Sequence, residues 1–172
     1  MNLKALQKIT YGLYIVCSVQ GDKLNGQIVN TVMQVASEPP AIAISINKHN
    51  LTHEFITGSK VFSASILCQD TPMTFIGRFG FRSGRDMDKL EGVDYITGNT
   101  LAPIVTENAV AYLEARVIHQ VDVNTHTLFI GELVNADIVS EKTCMSYDYY
   151  HEVKRGKTPV NAPNYIKLSK EV

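Results

Sequence analysis

Residues 25–53, NGQIVNTVMQVASEPPAIAISINKHNLTH, constrain the fold of this chain more than any other stretch. The order of residue types reads as strand, turn, strand, turn and helix start. In the first strand, polar side chains (Asn25, Gln27, Asn30, Thr31, Gln34) stand where a core strand would carry valine. Ser37-Glu38-Pro39-Pro40 reverses the chain, since proline fixes φ and removes a ladder donor. The second strand, 41–46, is almost wholly apolar, and Asn47-Lys48-His49-Asn50 closes it before Thr52 opens a helix. A polar-faced strand beside a buried one, with a cation and hydroxyl donors at its exit, suits the wall of a site for a polar planar ligand carrying a phosphate.

The rest of the pattern is mostly β. Residues 11–19 and 61–67 are apolar, β-rich runs that read as strands, and 95–97 as a short one. Residues 109–120 and 125–139 are long β-type segments, with VDVN between them as a hairpin link. Helical readings fall on 2–8, 51–57 (stopped by Gly58), 71–79 (Thr71 as cap, Pro72 in the first turn), 86–90 and 145–154. Residues 158–172 read as a partly extended tail. The expected fold is mainly β, with six or seven strands, adjacent antiparallel hairpins and a few short helices. Closing such a strand set into a small barrel removes exposed edges.

At 172 residues the chain has the length of one domain. Its net charge of −1, from 16 basic and 17 acidic residues, gives no electrostatic reason to expect nucleic acid or an anionic membrane as partner. Without a long apolar run or a signal-peptide core, the expected location is the cytoplasm. Cys17, Cys68 and Cys144 form no C-x-x-C pattern; Cys17 and Cys68 lie in apolar segments and read as buried hydrophobes, with a cysteine lining a ligand pocket as the alternative. The dinucleotide fingerprint, the P-loop and the hydrolase elbow G-x-S-x-G are all absent from the sequence. His49 and His53 stand four apart but lack the H-E-x-x-H arrangement, so two surface histidines are expected rather than a metal site.

Three features have two readings each. In FIGRFGFRSGR, 75–85, three aromatics and three arginines share a glycine-loosened segment. Exposing each ring costs about 1.5–3 kcal/mol relative to burial, so the rings either anchor the segment to the core or line a flat-ligand site or interface. Asn124-Thr125-His126-Thr127 suits a hairpin corner or a pocket rim. The basic run Lys154-Arg155-Gly156-Lys157 suits a solvated face, or contact with a phosphate or a second subunit.

Together, TYGLYIVCS at 10–18, the 25–56 stretch, FIGRFGFRSGRD at 75–86 and THTLFIGELVNAD at 125–137 resemble the flavin reductase-like family of FMN-binding split barrels, over roughly residues 9–165. The ending SYDYYHEVKRGKTPVNAPNY, 146–165, is similar to the branch holding flavoredoxin and the flavin domain of high-molecular-weight rubredoxin. The resemblance implies a six-stranded antiparallel split β-barrel of Greek-key topology, one such domain over 1–172, and a homodimer with FMN near the subunit interface. It implies that Asn30, Thr31, Val32 and Gln34 face the flavin ring and ribityl chain. Ser45, Asn47, Lys48, Asn50 and Thr52 would sit near the phosphate. The 79–85 segment, with Phe79, Arg82 and Arg85, would close over the flavin. His126 would stand near its reactive face or a nicotinamide, and Tyr147 and Tyr150 against the cofactor or the other subunit.

The function implied is an FMN oxidoreductase fed by NADH or NADPH, passing electrons to free flavin, ferric iron or a rubredoxin-like protein. An alternative is a flavoredoxin-like electron carrier without NAD(P)H activity, and a third is a small barrel that binds no cofactor. Two departures from the family stand out: 31–35 lacks the serine-rich sequence of many members, and no C-x-x-C pairs offer a second redox centre.

Overall fold

The computed structural model describes residues 2–165. After a 3-10 helix at Leu3–Lys8 come β1 (Tyr14–Gln20), β2 (Lys23–Val29), β3 (Val32–Ser37), β4 (Pro40–Asn47), α1 (Leu51–Ser59), β5 (Val61–Leu67) and α2 (Met73–Phe81). The short β6 (Tyr95–Thr97) and β7 (Pro103–Val105), the long β8 (Ala109–Val123) and β9 (His126–Ile138), and α3 (Tyr147–Glu152) follow.

The main sheet has seven strands in the order β2-β1-β5-β8-β9-β4-β3, and β6-β7 form a separate ribbon. Each pairing is antiparallel. The edge strands β2 and β3 are joined by Asn30 and Thr31 alone. Six inter-strand spacings would place the edges of a flat sheet ~29 Å apart, whereas this link reaches at most ~11 Å. The sheet must therefore curl until its edges meet, which makes a barrel split at the β2–β3 junction. Bulges near Glu114/Ala115 and Val117/His119 help bend β8.

Apolar side chains fill two regions. Val16, Ile42, Ile44, Ile46, Phe62 and Phe129 make up the barrel interior, closed by Ile56 from α1. A β-carbon on Gly131 would stand 2.7 Å from the Phe62 ring, so glycine there lets β9 pass over that ring. The second region lies against β1: Leu13, Ile15 and Cys17 meet Phe75, Ile76 and Phe79 of α2 and Met145, Tyr147 and Tyr150.

Several expected boundaries shift. The stretch 25–36 is two strands rather than one, because its halves serve opposite sheet edges. VDV belongs to β8, paired through Val123↔His126, and Asn124 (φ 49°) with Thr125 makes the turn. α1 runs through Gly58 and ends on Lys60, whose left-handed φ of 60° lets its N–H reach the Ile56 carbonyl. α2 likewise passes through Gly77 and Gly80 to Phe81, with Pro72 at its N-cap; the Thr71 hydroxyl binds the Cys68 carbonyl instead of capping. Residues 86–90 form turns, not helix. Met145 is held by β-type bonds to Leu13 and Leu67, so α3 starts only after Ser146, whose side chain accepts from Tyr149 N–H. Of the expected tail, 166–172 lie outside the described residues.

Candidate functional site

A cleft of about 570 Å³ opens beside the barrel split. β2 and the Asn30 junction supply one wall, the end of β4 and the start of α1 a second, and α2 with its following loop a third. Residues 157–163 run along it as a strap.

The alternation of β2 places Asn25 and Gln27 on the cleft side. Asn25 is buried and its Nδ2 donates to Thr52 Oγ1 at 2.8 Å, tying β2 to α1. A β-carbon on Gly84 would lie 2.0 Å from Asn25 Oδ1, so the α2 loop closes over this pair only with glycine there. Asn30 is buried at the split; its Oδ1 accepts from Thr31 Oγ1 at 3.0 Å. Among the described residues Asn30 Nδ2 has no hydrogen-bond partner. Leaving such a donor unsatisfied costs about 1–3 kcal/mol, which a ligand acceptor would recover. Asn47 Oδ1 accepts from His49 N–H at 3.0 Å and shapes the turn into α1. Asn50, the N-cap, makes no side-chain cap bond; its Oδ1 accepts from Asn161 of the strap at 3.1 Å. The start of α1 thus brings backbone N–H groups and a positive dipole end to the cleft at Leu51 and Thr52.

Lys89 is the residue the sequence reading missed. It is 5% exposed and lines the cleft floor, its Nζ donating to the Gly26 carbonyl at 2.9 Å and the Phe79 carbonyl at 3.2 Å. An ammonium has three donors, so one remains for a ligand. Burial pushes the ammonium down to about 8 from 10.5, only partly opposed by neighbouring Cys17. The same burial pushes the Cys17 thiol up to about 12. Nothing in DMDKLEGV distinguishes Lys89 from a surface lysine; the chain around it has to be folded back onto β2 before its burial is visible.

Of the residues expected at the site, Asn30, Ser45, Asn47, Asn50, Thr52, Phe79, Arg82 and Tyr150 line this cleft, and so does Tyr147. Phe79 is also a core anchor, packed on Phe75 at 5.3 Å, whereas Phe81 is the half-exposed ring of this segment. Tyr150 is buried, its hydroxyl donating to the Lys157 carbonyl at 3.0 Å, and burial raises its ionisation above the usual tyrosine value. Lys157 of the basic run lines the cleft, while Lys154 and Arg155 do not.

Six expected residues lie elsewhere. Lys48 is bound to Asp122 at 3.0 Å, which spends its charge on the end of β8. Arg85 pairs with Glu54 on the surface. Thr31 bonds Asn30, Val32 packs on the barrel interior, and Gln34 is exposed with its amide on the Ala36 carbonyl. His126 stands behind the strap: Nε2 meets the Asn161 carbonyl at 3.1 Å and Nδ1 meets Thr125 Oγ1 at 2.8 Å. A carbonyl only accepts, so Nε2–H donates to Asn161. His53, four residues from His49, bonds Thr127 Oγ1 at 2.8 Å.

The Flavin reductase like domain family matches residues 6–156. The chain belongs to that family. It is 48% identical over 165 residues to the high molecular weight rubredoxin of Moorella thermoacetica, covering 96% of this chain and 72% of that protein. It is 47% identical over 167 residues to the ferric-chelate reductase (NAD(P)H) of Archaeoglobus fulgidus, covering 97% and 99%. The NADH:FAD oxidoreductase of Streptomyces globisporus C-1027 shares the fold at a TM-score of 0.75 and 24% identity, over 83% of this chain and 84% of that one. The flavoredoxin of Methanosarcina acetivorans does so at 0.69 and 23%, over 77% and 69%. These matches agree with the split barrel expected for the flavin reductase-like family, though its main sheet here has seven strands rather than six.

The cleft residues of this family member fit a flavin. An unpaired buried amide suits a ring carbonyl or nitrogen, apolar surface from Val29, Ile76 and Phe81 suits the ring's flat faces, and the α1 start with Arg82 and Lys89 suits a phosphate.

Proposed function

We propose that the chain is an FMN-dependent oxidoreductase, reduced by NADH or NADPH and passing electrons to free flavin, ferric iron or a small rubredoxin-like protein. The observation that carries this reading is the cleft at the barrel split, with the Asn30 donor unpaired inside it. Near-full-length similarity to a protein named as an NAD(P)H ferric-chelate reductase supports the activity. A monophosphate is matched by one helix start with two cations, and asks for no glycine-rich dinucleotide loop.

FMN, when bound, supplies hydride acceptance and one-electron release. The chain supplies position and charge. Asn30 Nδ2 would donate to the ring, Ser45 and Gln27 would line the polar side of its site, and Lys89 sets a positive charge under the cleft. Asn50, Thr52 and Arg82 would hold the phosphate. His126 is a positioning residue: it fixes the Asn161 carbonyl, and with it the strap. Arg85, Lys48, Thr31, Val32 and Gln34 act at this site only through a second subunit or through their neighbours.

The same reading takes 1–172 as one flavin reductase-like unit, working in the cytoplasm as a homodimer. Met33 and Val35 are 52% and 45% exposed on the edge strand β3, and such an edge is a surface that proteins cover. No helix among the described residues is long and apolar enough to cross a membrane.

A second reading is a flavin electron carrier with no NAD(P)H chemistry, favoured by similarity to a protein named as a rubredoxin. Anaerobic stopped-flow separates the two. Bleaching of the flavin band by NADH or NADPH supports the reductase. Bleaching only by a reduced rubredoxin-class protein supports the carrier.

A further inference from the structure

Cys68 and Cys144 lie far from each other in sequence, yet the fold sets them directly opposite one another as an isolated antiparallel bridge. The hydrogen bonds around them fix the type of pair. Gln69 N–H donates to the Thr143 carbonyl at 2.9 Å, and Met145 N–H to the Leu67 carbonyl at 2.8 Å. The bonds therefore flank the cysteines and do not join them, so this is a non-hydrogen-bonded pair. Such pairs have Cα atoms about 4.5 Å apart with side chains on one face. That separation falls inside the roughly 4.4–6.8 Å range of disulfides. Both thiols are free.

The two sulfurs differ in access. Cys144 is exposed and Cys68 is fully buried. The Thr71 hydroxyl proton is committed to the Cys68 carbonyl at 2.6 Å, so in the 3.7 Å contact between Cys68 Sγ and Thr71 Oγ1 the thiol donates. Cys68 is thus a shielded thiol, its S–H turned to Thr71, beside a solvent-facing one. Cys17, the third cysteine, is buried in the α2 region and has no cysteine opposite it: its bridge partners are Gly26 and Ser63.

We propose that Cys68 and Cys144 are a redox-active cysteine pair that closes to an intramolecular disulfide when the protein meets peroxide. The Cys144 thiolate attacks one peroxide oxygen and breaks the O–O bond, giving a sulfenic acid on Cys144 and hydroxide, which takes up the thiol's proton as water. Cys68 sulfur then displaces the sulfenic hydroxyl, and its proton leaves with that group as a second water. Two thiols are oxidised by two electrons in total, and one peroxide is reduced to two waters. The bond would join the chain just before α2 to the chain just before α3, and both helices line the cleft through Phe79, Tyr147 and Tyr150.

The test is a thiol count and a non-reducing peptide map of the full-length protein, with and without hydrogen peroxide. The expected count falls from three to one, with the tryptic peptide 61–78 linked to 143–154 and dithiothreitol restoring both. Cys144→Ser is expected to keep its two remaining thiols under the same treatment. The proposal is overturned if the wild-type count stays at three, if Cys144 proceeds to sulfinic acid with Cys68 still free, or if the disulfide joins Cys144 of two copies.

Discussion

Replacing Lys89 by methionine removes a charge that the fold holds out of water, and the consequence depends on pH in a direction that can be worked out. In the folded apo protein burial holds the Lys89 ammonium at about 8, against 10.5 for an ordinary lysine. The gap corresponds to ~3 kcal/mol against the charged form. Below pH 8 both folded and unfolded chains carry the proton, and the full cost is present. Between about 8 and 10.5 the unfolded chain binds more protons than the folded one, so stability rises with pH, at most ~1.4 kcal/mol per unit. At neutral pH two charge-assisted bonds, to the Gly26 and Phe79 carbonyls, offset the burial cost. Each is worth about 1.5–3 kcal/mol, so together they match or exceed the burial cost, and Lys89→Met is expected to cost about 0–3 kcal/mol at pH 7. Raising the pH to about 9.5 then favours the wild type over the variant by a further ~2 kcal/mol. Urea midpoints followed by tyrosine fluorescence, taken on flavin-free protein across this range, give the difference directly. Subtracting the variant removes the tyrosines and cysteines that titrate in the same window. A difference that is flat, or that falls with pH, would show that Lys89 is solvated and that the floor of the cleft is not closed as described.

The remaining predictions follow from the same contacts. An anion bound over Lys89 needs it protonated, so the FMN dissociation constant of the wild type should rise above pH 8 by up to about tenfold per unit, while that of Lys89→Met should not; fluorescence titration checks this. Phe129→Ala empties the barrel interior and should cost about 3–5 kcal/mol in denaturant unfolding. Glu114 is fully buried. Burial alone would raise its pKa, but bonds from the Thr100 hydroxyl, the Thr100 N–H and the Asn99 N–H outweigh it and leave the carboxyl below its usual value. Its stabilisation is present above 4.5 and lost as pH falls below that value, so Glu114→Gln should lower stability at pH 7 and flatten the acid limb of the unfolding curve.

Much of the fold is written in local patterns. The Pro-Pro turn, the apolar run of β4 and the long alternation of β8 and β9 each mark an element without help from the rest of the chain. What local pattern cannot carry is the break at Asn30: 25–36 is continuous in type, and only the requirement that its halves bond opposite sheet edges splits it. The amides of β2 and its junction, Asn25, Gln27 and Asn30, were legible as a ligand wall because buried strands rarely carry them. Lys48 looked like a phosphate cation for the same reason, yet Asp122 claims it from a hairpin more than seventy residues away. Lys89 has the opposite history, since its burial depends on long-range packing against Gly26 and Phe79. The aromatic-rich segment divides between its two readings: Phe75 and Phe79 anchor a helix, and Phe81 faces the cleft.

The central claim is that the cleft at the barrel split holds FMN, and a visible absorption titration of the flavin-free protein tests it most directly. The account predicts saturable uptake of one FMN per chain, weakened at least tenfold when Asn30 is replaced by leucine in a protein of unchanged circular dichroism. A wild type that takes up no FMN, or an Asn30→Leu protein that binds it as tightly as the wild type, would contradict it.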